Sequence, residues 1–178
     1  MNFNKKLILF SFLLPLFCTS FAFSQQRLSL EQGIDVAIHK NGHYKTAYVL
    51  TPKFEFDDVV ASYSFHPVVA DSVNPAGHIS LHTIDIAYRK EVGVEQIRPY
   101  FMAGGGYAFY SAPTTFLNGG HLFGAFGINF ILNKYSLVLG PVVKYNAVLF
   151  DSEEKIEDGD RFKYHQFISF LFNIGYTF

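Results

Sequence analysis

The chain has 178 residues, enough for one domain, and it is rich in aromatic side chains, with 21 Phe and 11 Tyr but no Trp. Charged residues make up 16% of the chain, below the roughly 25% of an average soluble domain. Although 49% of the residues are hydrophobic, no run is long enough to cross a bilayer as a helix, which needs about 20 residues, so the apolar residues must act in alternation.

The N-terminus has the features of a targeting segment. Two lysines precede an apolar run at residues 7–17, and Ala22-Phe23-Ser24 places small residues where a signal peptidase cleaves. A membrane anchor is the alternative, but the run is too short to span a bilayer and contains Pro15. We therefore predict that residues 1–24 are a cleaved signal peptide and that residues 25–178 form the mature domain.

The predicted mature domain contains no cysteine, because the single one, Cys18, lies in the signal. It therefore has no disulfide and no thiol chemistry. Removal of Lys5 and Lys6 from the 14 basic residues leaves 12 against 15 acidic ones, a net charge of −3. This charge gives no reason to expect a nucleic-acid partner.

After the signal, large apolar residues alternate with small or polar ones through eight segments. A period of two is typical of a β-strand with two unlike faces. The alternation predicts strands at residues 29–39, 44–56, 59–66, 78–89, 97–110, 120–132, 136–150 and 165–178. Pro52 interrupts the second segment, so we expect that strand to end early or to bulge there.

The connections between these segments are of two kinds. Those after the second, fourth and sixth segments are tight turns, whereas those after the third, fifth and seventh are loops of about 8 to 14 residues, a difference typical of bacterial outer-membrane barrels. The first connection, at Asn41-Gly42, is a two-residue hairpin signal. In such barrels the short turns are periplasmic and the longer loops extracellular, and an even strand number places both termini on the periplasmic side. We predict an all-β, eight-stranded antiparallel up-and-down transmembrane β-barrel.

The composition of the two registers indicates which face is outside. A soluble lipocalin-like barrel would have an apolar interior and a polar exterior. Here the polar register is mostly small residues such as Gly104, Gly106 and Ala125, which suit a crowded lumen. The apolar register is almost free of charge, as hydrocarbon requires, since a charge at mid-bilayer costs about 2–4 kcal/mol in a barrel. We therefore expect the apolar register to face lipid.

The whole mature chain resembles the small outer-membrane β-barrel proteins of Gram-negative bacteria, typified by outer-membrane proteins A, X and W. The resemblance rests on the signal segment, on Arg98-Pro99-Tyr100-Phe101 leading into Gly104-Gly105-Gly106-Tyr107, and on residues 173–178. It implies that the barrel-assembly machinery reads a terminal Phe preceded by apolar residues at alternate positions. The residues that match this assembly signal are Phe178, Tyr176, Ile174 and Phe172. The other partners that the resemblance implies are outer-membrane lipid and lipopolysaccharide.

The predicted lumen register collects charges of both signs. These charges should pair, because an unpaired charge in a narrow, low-dielectric lumen is costly. The predicted ionic cluster consists of Glu31, Asp35, Lys45, Asp85, Arg89, Arg98 and Lys144, with Lys53 and Glu55 in the same register. The structural interpretation is an ionic plug that fixes the interior. The functional alternative is a gate or a narrow, weakly conducting pore.

His78, Ser80 and His82 lie in the lipid-facing register near the predicted outer rim. An outward pair of His and Ser resembles the outer-membrane lipid A deacylases, in which a histidine activates a serine and a carboxylate orients the histidine. In that family the pair lies late in the chain with a Glu downstream, whereas here it lies on the fourth predicted strand and Asp85 is in the opposite register. The simpler interpretation is an interfacial rim that faces lipid headgroups.

Three other features are weaker indications of a site. His39 and His43 could bind a metal across the first hairpin, but no third ligand is evident. The acidic stretch at residues 151–161 could bind divalent cations, but its spacing fits no defined cation loop. Gly104-Gly105-Gly106 is not a phosphate loop, since neither a helix start nor a Lys-Ser/Thr pair follows it. We predict no metal site and no cofactor.

The sequence thus predicts a non-enzymatic integral protein of the outer membrane with a structural, surface-interaction or minor transport role. A lipid A-modifying enzyme of the deacylase type is the first alternative. A conduit for small hydrophobic molecules is the second, and the polar register predicted for the lumen argues against it.

Overall fold

The computed structural model describes residues 26–37, 46–69, 79–93, 96–111, 116–132, 136–150 and 164–178. The predicted signal peptide therefore lies outside the described residues. So do four residues and one segment to which the sequence assigned possible roles: His39, His43, Lys45, His78 and the acidic stretch at 151–161.

Eight antiparallel strands form a closed barrel in chain order. They are β1 (Gln26–Ala37), β2 (Thr46–Phe56), β3 (Val59–Val69), β4 (Ile79–Glu91), β5 (Ile97–Ser111), β6 (Phe116–Leu132), β7 (Leu137–Phe150) and β8 (Tyr164–Thr177). Strand β8 closes the barrel by pairing with β1, from Arg27 opposite Thr177 to Ala37 opposite Phe167. The predicted fold class is therefore confirmed. No helix within the described ranges is long and apolar enough to cross a membrane.

The two ends of the barrel differ. At one end, called the turn end here, β2 and β3 are joined by residues 57–58, β4 and β5 by 92–96, and β6 and β7 by 133–136. Gln26 and Phe178 also lie at the turn end, where the Phe178 N–H donates to the Gln26 carbonyl at 3.0 Å. The opposite end is called the loop end.

The structure corrects details of the predicted strands. Strand β6 begins at Phe116 and not at residue 120, since its pairing with β5 continues as far as Phe116 opposite Ser111. Strand β2 does not end or bulge at Pro52. The proline keeps its register opposite Leu30 of β1. On the β3 side it lies between the paired residues Leu50 and Lys53 and is not itself paired, so its missing N–H is tolerated there.

Side chains alternate between an apolar outer face and a buried lumen, as the sequence predicts. On β4, Ile84, Ile86 and Tyr88 are exposed on the outer face, whereas Asp85 and Arg89 are buried in the lumen. The residues of the predicted assembly signal are all exposed on the outer face: Phe172, Ile174, Tyr176 and Phe178. A wall of this kind suits hydrocarbon on the outside.

The lumen is less uniformly polar than the sequence suggests. Alongside the small residues, a cluster of buried side chains contributes apolar packing: Val49, Val60, Ala87, Tyr100, Met102, Phe123, Ala125, Val142 and Leu171. On β4, Ala87 of this cluster lies between Asp85 and Arg89. The apolar cluster therefore separates charges along the strand, and the charged side chains form two groups towards the two ends of the barrel.

Candidate functional site

The larger charged group lies towards the turn end and is called the turn-end network. It consists of Arg27, Glu31, Lys53, Glu55, Arg89, Glu91 and Arg98. Glu55 is its centre, because three cations contact this one carboxylate: Arg89 at 2.5 Å, and Arg27 and Lys53 at 3.3 Å each. Burial of the side chains makes these contacts stronger than surface ion pairs, and it makes loss of a partner costly.

Glu91 and Glu31 complete the turn-end network. Glu91 forms ion pairs with Arg27 and Arg89 at 3.0 Å each, and it accepts from the amide of Asn129 at 2.7 Å. The Lys53 ammonium lies 2.5 Å from Glu31. Because Arg27 is on β1 and Glu91 on β4, their ion pair joins strands that are not neighbours in the sheet. The network therefore links opposite parts of the wall across the lumen.

The turn-end network meets solvent at a cavity of about 340 Å³. The residues that line this cavity are Arg27, Glu55, Asp57, Asp58, Arg89, Glu91 and Thr177. Three of the lining side chains, Arg27, Glu55 and Arg89, are almost fully buried by their mutual contacts. The mouth of the barrel at the turn end is thus blocked by paired charges.

The smaller charged group lies on the loop-end side of the lumen and is called the loop-end pairs. His66 contacts Asp35 through Nδ1, and His121 contacts Asp85 through Nδ1 at 2.6 Å. The Thr83 hydroxyl donates to the second oxygen of Asp85 at 2.7 Å. All of these side chains are buried. Each aspartate here is therefore held by a histidine from a different strand.

Lys144 is buried beside the loop-end pairs but is held differently. Its ammonium lies 3.9 Å from the centroid of the Phe123 ring, a cation–π contact. No ion pair within the described ranges includes Lys144.

The structure divides the ionic cluster that the sequence predicts. Glu31, Arg89 and Arg98 belong to the turn-end network, although Arg98 is at its half-exposed margin, 3.7 Å from Glu91. The other described members, Asp35, Asp85 and Lys144, are on the loop-end side. No ion pair among the described residues joins the two groups. The ion pairs of the described residues therefore fall into two groups.

Sequence reasoning missed four residues of these two sites: Arg27, Glu91, His66 and His121. Arg27 and Glu91 lie two residues beyond the predicted strand limits, in the same register as Ser29 and Arg89. Continuing the alternation by one step would have found both. The two histidines were in the lumen register but were not counted among the charged side chains.

A third site lies on the outer wall near the loop end, where Ser80, His82 and Tyr63 form a hydrogen-bonded chain. The Ser80 hydroxyl lies 2.9 Å from His82 Nε2, and the Tyr63 hydroxyl lies 2.6 Å from His82 Nδ1. The His82 ring lies between Phe65 and Phe109, with centroid distances of 5.0 and 4.8 Å. The fold thus brings together two of the three residues in the predicted His-Ser-His run.

This outer-wall chain contains part of the serine, histidine and carboxylate arrangement that hydrolases use. Ser80 and His82 have the contact that a nucleophile and its general base require. The third position, however, is held by a phenol and not by a carboxylate. Asp85, the nearest carboxylate along β4, points into the lumen and contacts His121. The deacylase arrangement is therefore incomplete among the described residues.

Two solved structures of outer-membrane proteins have a fold similar to that of this barrel. Neisserial surface protein A (NspA) superposes with a TM-score of 0.59 at 11% sequence identity, over 87% of this chain and 97% of NspA. The N-terminal β-barrel domain of Pseudomonas aeruginosa OprF gives 0.50 at 14% identity, over 87% and 99%. The chain has the fold of the small outer-membrane barrels. The sequence matches no family model and no curated protein.

Proposed function

We propose that this chain is an integral outer-membrane barrel whose lumen is closed, and that it acts without enzymatic activity, through its structural presence and its extracellular surface. The observation that carries the proposal is the turn-end network, in which Glu55 and Glu91 hold arginines from β1 and β4 across the lumen. Paired charges of this kind fill the lumen and offer little free charge to a passing ion. The apolar outer wall supports placement in a bilayer.

The orientation in the membrane is part of the same proposal. The short turns and both described chain ends lie at one end of the barrel, and short turns are periplasmic in bacterial outer-membrane barrels. The loop end then faces the outside of the cell, where surface interactions or minor transport would take place. A conduit for small hydrophobic molecules is disfavoured, because the apolar cluster fills the interior with packed side chains.

A conductance measurement tests the closed lumen. In planar bilayers the purified wild-type barrel is expected to give no steady channel, whereas Glu55→Gln should give brief openings, because it leaves three cations without their shared carboxylate. Asp58→Asn is the matched control, since Asp58 is at the same end but its pair with Lys90 is exposed. A stable, large wild-type conductance would contradict the proposal.

Hydrolysis of a lipid ester is the second candidate function, and the 2.9 Å contact between Ser80 and His82 favours it. His82 would take the Ser80 proton as the serine oxygen attacks an acyl carbonyl, and it would return the proton to the departing alcohol as the ester C–O bond breaks. Purified barrel with a lipid ester reporter distinguishes the two functions. Turnover by wild type that is lost in Ser80→Ala would establish the enzyme, whereas equal background rates for both support the non-enzymatic role.

A further inference from the structure

The outer-wall chain of Tyr63, His82 and Ser80 has a surplus hydrogen. A neutral histidine carries one N–H, and the two hydroxyls carry one hydrogen each, which makes three polar hydrogens. The two contacts, Tyr63 to Nδ1 and Ser80 to Nε2, use two of them. Whichever tautomer is present, one hydroxyl hydrogen is left to donate elsewhere. A protonated histidine leaves two.

The surplus donor is held in a fixed place. The His82 ring is stacked on Phe109 with an interplanar angle of 4°, and Phe65 covers it at 30°. Both ring nitrogens are engaged, so the ring cannot turn without breaking a hydrogen bond. A donor fixed in this way loses little conformational entropy when an acceptor binds to it.

The surroundings of this hydrogen-bonded chain favour an acceptor on a lipid. Tyr63 and Ile84 are opposite each other on the outer face, and both are exposed. Hydrocarbon tails offer no hydrogen-bond acceptor, and an unsatisfied donor in that environment costs free energy. Oxygen acceptors are found in the glycerol-ester and headgroup region of a lipid. Tyrosine is itself enriched at that depth of a membrane.

We propose that Tyr63, His82 and Ser80 form a binding site for one lipid molecule, with the surplus hydroxyl donating to a lipid oxygen at the level of the esters or the phosphate. This inference rests on the proposed membrane function and adds a defined lipid site to it. The lipid is held on the loop-end part of the outer wall. Phe65 and Phe109 flank the site and contact the part of the lipid's acyl chains that is nearest to the headgroup.

Native mass spectrometry of the purified full-length barrel tests the site. The protein is released from detergent micelles that contain phosphatidylglycerol, and the fraction that keeps one lipid is measured. The triple variant Tyr63→Phe, Ser80→Ala, His82→Phe removes every donor and leaves an apolar wall. Its lipid retention should fall about fivefold, the size expected from one net hydrogen bond.

Tyr107→Phe is the matched control, because Tyr107 is opposite Ile84 on its other side and is also exposed on the outer wall. It removes a hydroxyl that is not part of the hydrogen-bonded chain, and the variant should retain as much lipid as the wild type. A diether analogue of phosphatidylglycerol separates the two lipid oxygens. Equal retention of diether and diester forms assigns the phosphate as acceptor, and loss of the diether form assigns the ester carbonyl.

Equal retention by the triple variant and wild type would overturn the site, as would an equal loss in Tyr107→Phe. Heat-modified gel mobility reports folding independently. If the triple variant does not fold, His82→Phe alone replaces it. This variant keeps the aromatic stack but no longer holds the two hydroxyls in place, so retention should fall about twofold. A wild-type barrel that is not heat-modifiable would contradict the proposed membrane function and not the lipid site alone.

Discussion

At the turn end of the lumen, every described positive charge belongs to an arginine or a lysine, whereas on the loop-end side the partners of both aspartates are histidines. Arginine keeps its proton inside proteins, and a lysine that lies between carboxylates keeps its proton as well. A histidine can become neutral and still donate one hydrogen bond. The turn-end network therefore needs its carboxylates to balance fixed positive charges, whereas the loop-end pairs can lose a negative charge at a smaller cost in stability.

The arrangement of partners strengthens this difference. In the turn-end network, Glu55 and Glu91 each contact more than one cation, so removal of one carboxylate affects several side chains. In the loop-end pairs, each aspartate has a single histidine. Shared partners make a network cooperative, and separate pairs can be changed one at a time. The turn end is the more rigid closure, and the loop end is the more tolerant one.

The largest expected effect comes from Glu55→Gln. The substitution keeps shape but leaves Arg27, Lys53 and Arg89 without their shared negative charge. Breaking a buried pair in this way costs about 3–5 kcal/mol. The free energy of unfolding in urea, measured in lipid vesicles, should fall by this amount. Asp58→Asn, which loses only an exposed pair with Lys90 at 3.4 Å, should change it by less than about 1 kcal/mol.

Asp85→Asn makes the same kind of change in the loop-end pairs and should cost less. The amide oxygen can still accept from His121, and the amide nitrogen can donate to the Thr83 hydroxyl, which accepts as well as donates. We expect a loss of about 1–2 kcal/mol in the same unfolding experiment, the cost of a weakened buried hydrogen bond. A loss as large as that of Glu55→Gln would mean that the two ends do not differ.

The sequence was sufficient for the barrel because lipid imposes a strict period of two on the outer face. Phe172, Ile174 and Tyr176 could be placed outside with no knowledge of their neighbours. The partners inside the lumen could not be predicted in the same way. Arg89 on β4 contacts Glu55 on β2, and Arg27 on β1 contacts Glu91 on β4. Such contacts depend on strand tilt and stagger, which alternation does not determine.

Only two of the three residues of the outer-wall site could be grouped from the sequence. Ser80 and His82 are two residues apart on one strand, so their shared face follows from the period of two. Tyr63 is on the neighbouring strand, and its contact requires the register of β3 against β4, which places Tyr63 opposite Ile84 and Phe65 opposite His82. Register could not be derived, because the connection between these strands leaves it open.

Arg98→Ala is expected to have a small effect, although Arg98 was predicted as a full member of the ionic cluster. Its side chain is half-exposed, and its distance to Glu91 is 3.7 Å. Glu91 keeps Arg27 and Arg89 after the change. We expect a loss of about 0.5 kcal/mol, as for exposed ion pairs, and unchanged conductance. Arg89→Ala is the comparison, and its loss should be several times larger.

The smallest expected effect comes from Lys144→Met, although Lys144 is almost fully buried. No ion pair among the described residues includes this ammonium, and the contact with the Phe123 ring offsets part of the cost of burying it. Methionine fills a similar volume, costs no desolvation of a charge and makes a favourable contact of sulfur with an aromatic ring. We therefore expect no measurable loss in the free energy of unfolding. A loss above about 2 kcal/mol would show that Lys144 neutralises Asp35 and Asp85 through space. The histidines would then not be sufficient partners for the two aspartates, and the loop-end side would also require a fixed positive charge.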